Sequence, residues 1–217
     1  MVLKLYTVNT SDLPRVLPIM PLQGGILLPR SELQIPFADV SDLSSVLSSS
    51  MANGTIGVVQ AETRNGDSLF RCGCAGKTFD VQEVDDIGFV LSITGICRFE
   101  IESELEFDGK CRRAVVSYEK YEADIVQEAD FLLDRERLLS VLRTYCKKLN
   151  IVPNWKEIEG ISNERLLTML MMLCPFDSKE KQTLLETVGY TEQSKLITSM
   201  MEMDVASAAN VASFLYH

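Results

Sequence analysis

Apolar positions along this chain change their period once, near Tyr121–Gln127. Before that point they alternate or run in short blocks. After it they recur every three or four residues. Thr55–Ala61, Phe70–Val84 and Phe89–Glu106 are rich in β-branched and aromatic residues and break at Gly, Asn and Asp, which predicts strands. The clearest alternation runs from Phe99 to Asp108. Phe99, Ile101, Ser103, Leu105 and Phe107 interleave with Glu100, Glu102, Glu104, Glu106 and Asp108, so a period of two puts all five acids on one face. Asp108-Gly109 predicts a two-residue hairpin turn that sets Glu104 opposite Arg113, with Val116 and Tyr118 on the apolar face. One helix interrupts the strands: Asp39 or Ser41 caps it, Leu43, Val46 and Leu47 fall at helical spacing, and Asn53-Gly54 ends it.

Residues 17–29 are apolar yet cannot be helical. Pro18, Pro21 and Pro29 lack a backbone donor and push the residue before each toward extended geometry. The pattern predicts an extended segment, a tight turn at Gly24-Gly25 and a second short strand that stops at Pro29.

The second half reads as helices. Asp130 to Leu149 carries Leu132, Leu138, Val141, Leu142 and Tyr145 at helical spacing. Pro153 and Gly160 bracket a short helix with Trp155 and Ile158, and Asn163 to Cys174 is a third helix stopped by Pro175. Asp177-Ser-Lys-Glu180 predicts a capping box, with Gly189 as the residue that ends the helix it opens. Thr191 caps a last helical segment running toward Tyr216.

Charge narrows the partners. The chain has 217 residues and a net charge of −10, from 21 basic and 31 acidic side chains spread over both halves. Phosphate-backbone binding depends on clustered Lys and Arg, so nucleic acid is not an expected partner. The row of acids at 100–108 is read as the solvated face of an antiparallel sheet, with a docking strip for a basic partner as the alternative. Six cysteines with no apolar signal segment at the N-terminus indicate reduced thiols and a cytoplasmic location. The longest apolar stretch, Leu166 to Cys174, is too short to span a bilayer, so no membrane partner is expected.

Histidine gives the sharpest exclusion. His217, the last residue, is the only one, which removes Ser-His-Asp and Cys-His catalysis and His-based zinc sites. Gly76-Lys77-Thr78 lacks the earlier glycine of a Walker A loop, where Arg71 stands, and its context is strand-like. Cys72-Gly73-Cys74 could bring two sulfurs to one strand face, but four-ligand zinc needs partners that Cys97, Cys111, Cys146 and Cys174 do not supply in pairs. Asp85-Asp86 before Gly88 reads as a turn. No catalytic, cofactor-binding or metal-binding residue is assigned, and the chain is not expected to be an enzyme. The methionines (Met169, Met171, Met172, Met200, Met201 and Met203) are read as core, with an adaptable peptide groove as the alternative.

Several segments together resemble the Lon substrate-binding domain, the N-terminal domain of the ATP-dependent Lon protease, and most of all the bacterial proteins that carry this domain alone. They are Leu17-Pro-Ile-Met-Pro-Leu22, Cys74-Ala-Gly-Lys-Thr78, Thr94-Gly-Ile-Cys-Arg-Phe99, Arg112-Arg-Ala-Val-Val116, Asp134-Arg-Glu-Arg-Leu138 and Leu173-Cys-Pro-Phe-Asp177, and the resemblance spans roughly residues 13–203. Ile35-Pro-Phe-Ala-Asp-Val40 departs from the family, which has a Glu-Pro-Arg-Tyr element there. The resemblance implies an α+β fold: a PUA-like β-barrel or pseudo-barrel over residues 10–122, then an α-helical bundle over 123–217. It implies no AAA+ motor or peptidase domain and no cofactor. The implied function is recognition of exposed apolar segments of unfolded or partly folded polypeptide, as an adaptor with a protease or chaperone as a further candidate partner. RNA binding, which other PUA-like barrels perform, is the alternative. Ile26, Leu27, Leu28 and Phe37 are the candidate peptide-binding residues, on a surface expected to be apolar with few central charges. Oligomeric state is not legible.

Overall fold

One long strand organises the sheet. In the computed structural model, which describes residues 10–50, 54–63, 66–106, 111–126 and 131–215, β5 (Gly88–Glu104) pairs along one edge with β4 (Leu69–Val84). Its other edge carries β2 (Glu32–Phe37) at one end and β6 (Arg113–Ser117) at the other. β4 pairs antiparallel with β3 (Thr55–Ala61), β3 runs parallel to β1 (Val16–Leu22), and β1 pairs antiparallel with β6. The six-stranded order is β2-β5-β4-β3-β1-β6, and the β5–β6 pairing closes a circuit of five strands. Helix α1 (Val40–Ser49) lays Leu43, Val46 and Leu47 over a core of Met20, Leu27, Ile35, Ile56, Val58, Leu91 and Ile93. The fold is α+β, in two compact units: Met1–Glu128 with Phe176–Glu186, and Ala129–Pro175 with Thr187–His217.

The strands of the sheet unit differ from the sequence reading in two places. No strand forms at 26–28; after β1 the chain runs irregularly to a turn at Pro29–Arg30, and the next strand begins at Glu32. The cause is a backbone clamp. Ser31 Oγ accepts from Leu28 N at 3.0 Å and donates to Leu28 O at 2.6 Å. Arg30 N donates to Gly95 O, and Gly95 N to Ser31 O. A Cβ on Gly95 would lie 2.0 Å from Leu28 O, so only glycine allows this approach. In the acidic strand, a bulge between Ile101 and Ser103 shifts the register, and Glu104 faces Ala114 instead of Arg113. The predicted Asp108-Gly109 turn, Asn53 and His217 lie outside the described residues.

The acidic row is not a free strip. Glu100 pairs with Lys120 at 2.8 Å, Glu102 with Arg15 at 3.6 Å and Glu104 with Arg112 at 2.6 Å. Each is an exposed pair of small energetic weight, but together they cancel the charge that a basic partner would seek.

The sheet unit also contains α5 (Ser178–Glu186). Its predicted capping box is present: Glu180 N donates to Asp177 Oδ1 and Asp177 N to Glu180 Oε2, both at 2.8 Å. Gln182 Nε2 then donates to Cys72 O and Lys181 Nζ to Gly24 O, fixing α5 beside β4. This helix stops at Glu186, before Gly189, whose carbonyl instead receives Gln193 N and opens the next helix.

The helical unit holds α2 (Arg135–Lys148), α3 (Trp155–Gly160), α4 (Asn163–Leu173) and α6 (Tyr190–Leu215). The first begins at Arg135, five residues later than the apolar pattern suggests, because Asp134 caps it by accepting from Arg137 N at 3.0 Å. Leu138, Leu142, Leu166, Met171, Ile197 and Met201 are buried. Among the described residues no helix is long and apolar enough to cross a membrane.

Candidate functional site

Two strand edges end their pairing on the same side of the sheet unit. β1 pairs with β6 only over Val16–Pro18, and Ile19 N donates to Arg112 O at 2.7 Å. From Met20 onward, β3 is its only strand partner among the described residues. β2 likewise pairs only with β5. Pro21 and Pro36 lie on these edges, where a missing N–H leaves no orphan donor.

Between them runs an open groove of about 440 Å³. Ile19, Met20 and Ile35 are its buried floor, Pro21, Pro36 and Phe37 its walls, and Val46, Cys111 and Arg112 its remaining lining. Among the described residues the lining has one charge, and it is already committed. Arg112 donates to Glu104 Oε2 through Nη2 and Nε at 2.6 and 3.0 Å, and through Nη1 to Gly66 O at 2.6 Å. The surface is therefore apolar, solvent-open and electrostatically quiet. It can bury apolar side chains.

Of the four candidate residues, Phe37 lines this groove. Ile26, Leu27 and Leu28 are 3, 1 and 2% exposed. Leu27 packs with Met20 and Ile35 in the core beneath the groove. Sequence reasoning passed over Pro21, Pro36 and Cys111. The signal for the first two was a proline inside a strand pattern, which marks a sheet edge.

The other motifs fall inside the framework. Gly76-Lys77-Thr78 lies within β4, with no helix N-terminus after it to cradle a phosphate. Cys72, Cys74 and Cys97 are buried. Burial raises the Cys72 and Cys97 thiols to about 12 and pushes Cys74 well above its ordinary value. Among the described residues no three His, Cys, Asp or Glu side chains converge as a metal set. Of the methionines singled out above, Met171 and Met201 are core, and none lines the groove.

Comparison with known proteins gives a consistent result. The family model of the ATP-dependent protease La (LON) substrate-binding domain matches residues 16–203. The Lon protease of Cytophaga hutchinsonii is 26% identical over 208 residues, covering 91% of this chain and 25% of the relative. That of Dictyoglomus thermophilum is 22% identical over 216 residues, covering 93% of this chain and 26% of the relative. The chain thus spans about a quarter of the length of these relatives. Among solved structures, the N-terminal domain of the Mycobacterium avium complex Lon protease superposes with a TM-score of 0.59 at 16% identity, over 86% of this chain and 98% of that one. The Lon N-terminal domain protein of Xanthomonas campestris gives 0.57 at 18%, over 85% and 97%.

Proposed function

The chain belongs to the Lon substrate-binding domain family, and from that membership we propose that its sheet unit recognises exposed apolar segments of unfolded or partly folded polypeptide. The observation that supports this most is the open apolar groove between β1 and β2, where, among the described residues, Arg112 is the only charged lining residue and is neutralised by Glu104. A native protein hides its apolar side chains, whereas an unfolded one offers them, so such a surface discriminates by folding state. Burying a Leu or Phe side chain contributes about 1.5–3 kcal/mol. A groove that takes one or two of them binds weakly and permissively once the entropy lost on association is counted.

The same reading makes the protein an adaptor that holds clients without processing them, for delivery to a protease or chaperone. We take the closed circuit of five strands as a PUA-like pseudo-barrel that holds the groove's floor rigid. The test is retention: the immobilised chain should hold a reduced, denatured model protein and release its native form. Equal retention of both, or of neither, contradicts the reading.

A further inference from the structure

We propose that the edge of β4 at residues 80–84 facing away from β5 takes up an extended polypeptide segment as an added strand, and that it selects segments alternating apolar with basic residues. The inference rests on the reading of the sheet unit as a polypeptide binder and specifies which polypeptides it favours.

The edge is open. β4 pairs with β3 as far as Lys77, and Thr78 N makes the last bond on that side, to Gly54 O at 2.9 Å. Beyond it, among the described residues, β5 is the only strand partner of β4. Alternate residues of an antiparallel strand turn N–H and C=O away from the pair, so this stretch presents a template for strand addition. A bulge at Phe79 closes the template at one end and the hairpin turn at Asp85–Asp86 closes it at the other. The five residues between match the length of β6, itself a complete strand of this sheet.

Apolar side chains lie on and beside the edge. Phe79 is 55% and Val81 42% exposed on the strand, with Ile87 at the turn and Val40 on α1 also exposed. The β2–α1 junction packs on this turn: a Cβ on Gly88 would meet Phe37 O at 2.5 Å and Ala38 O at 3.0 Å. Exposed apolar residues on a bare strand edge invite pairing.

Charge selects the occupant. Segments 38–54 and 78–97 contain no Lys, Arg or His but hold Asp39, Asp42, Asp80, Glu83, Asp85 and Asp86. None of the six forms an ion pair among the described residues, in contrast to Glu100, Glu102 and Glu104. A second copy pairing edge to edge would set acid against acid and is disfavoured. A segment with Lys or Arg between its apolar residues meets both features at once.

Fluorescence anisotropy with short labelled peptides tests this. A Lys-Val alternating peptide should bind, more weakly as salt rises. A Glu-Val peptide should not, and neither should Lys-Val peptides N-methylated at every second backbone amide in either register. Asp80→Asn with Glu83→Gln, both on an exposed strand, should weaken binding about fivefold. Equal binding of the methylated or the acidic peptide, or no effect of the double substitution, overturns the inference. Retention of a denatured model protein is measured alongside. If it persists and depends on Phe37 while the Lys-Val peptide fails to bind, the edge proposal alone falls. If neither ligand binds, the polypeptide-binding reading falls with it.

Discussion

Arg98 and Asp124 meet fork to fork in the interior of the sheet unit, with Nη2 2.7 Å from Oδ1 and Nε 2.8 Å from Oδ2. Arg98 N also donates to Oδ2, and Nη1 donates to Leu185 O at 2.7 Å. One side chain thus joins β5, the 3-10 segment Glu119–Ile125 and α5. Burial opposes the charge on Arg98, but the Asp124 carboxylate outweighs it, and the guanidinium pKa is raised. The Thr94-Gly-x-x-Arg98-Phe99 motif is therefore structural: Gly95 admits Leu28, Arg98 clamps Asp124, and Phe99 is wholly buried.

Removing one partner should be far worse than breaking a surface pair. Asp124→Ala leaves a buried, uncompensated guanidinium and should cost about 3–5 kcal/mol. Lys120→Ala, which breaks the exposed pair with Glu100, should cost less than about 1 kcal/mol. Urea midpoints of the two variants measure the contrast.

Gly95→Ala tests the clamp directly. The added methyl would lie 2.0 Å from Leu28 O, a collision with backbone that no rotamer relieves. The expected loss is about 3 kcal/mol or more, read from the shift in urea midpoint. A Gly160→Ala control, where nothing lies within 4 Å, should be neutral or stabilising.

Alkali should unfold the protein through its buried thiols. Cys72 and Cys97 are raised by burial from 9.0 to about 12. Above pH 9.0 the unfolded chain releases protons that the folded chain keeps. Their contribution is whole below pH 9.0 and falls toward pH 12 by about 1.4 kcal/mol per pH unit for each thiol. Urea midpoints at stepped alkaline pH should fall in this window, less steeply for Cys72→Ala.

Cys111 reports on the groove. It alone of the six cysteines is half-buried; the others are buried. Iodoacetamide should modify Cys111 first in the native protein, and an excess of denatured client should slow that reaction. Mass mapping of the alkylated cysteine, with and without client, checks both.

The local signals in the sequence were strong where one short-range rule decides. β3 spans Thr55–Ala61, as its β-branched run indicates, and the Asp177–Glu180 box caps α5 as its spacing requires. They failed where a distant partner decides. A local run of apolar residues cannot reveal that the chain after Leu28 is tied at Arg30 and Ser31 to Gly95, against which Leu28 O packs, because Gly95 lies far along the chain. The acidic row was visible, but its neutralisation was not, since Arg15 and Lys120 arrive from other segments. The groove was legible in part through Phe37, Pro21 and Pro36, and placing them together required the pairing of β1 and β2 with different neighbours.

The groove is tested most directly by substituting its rim without touching its floor. Pro36 is exposed, so Pro36→Asp should leave stability within about 0.5 kcal/mol of the parent while placing a charge on the apolar wall. Retention of a denatured model protein on the immobilised chain should fall several-fold relative to the parent, with an unchanged thermal midpoint. Undiminished retention by a folded Pro36→Asp variant would contradict the assignment of this groove as the polypeptide-binding site.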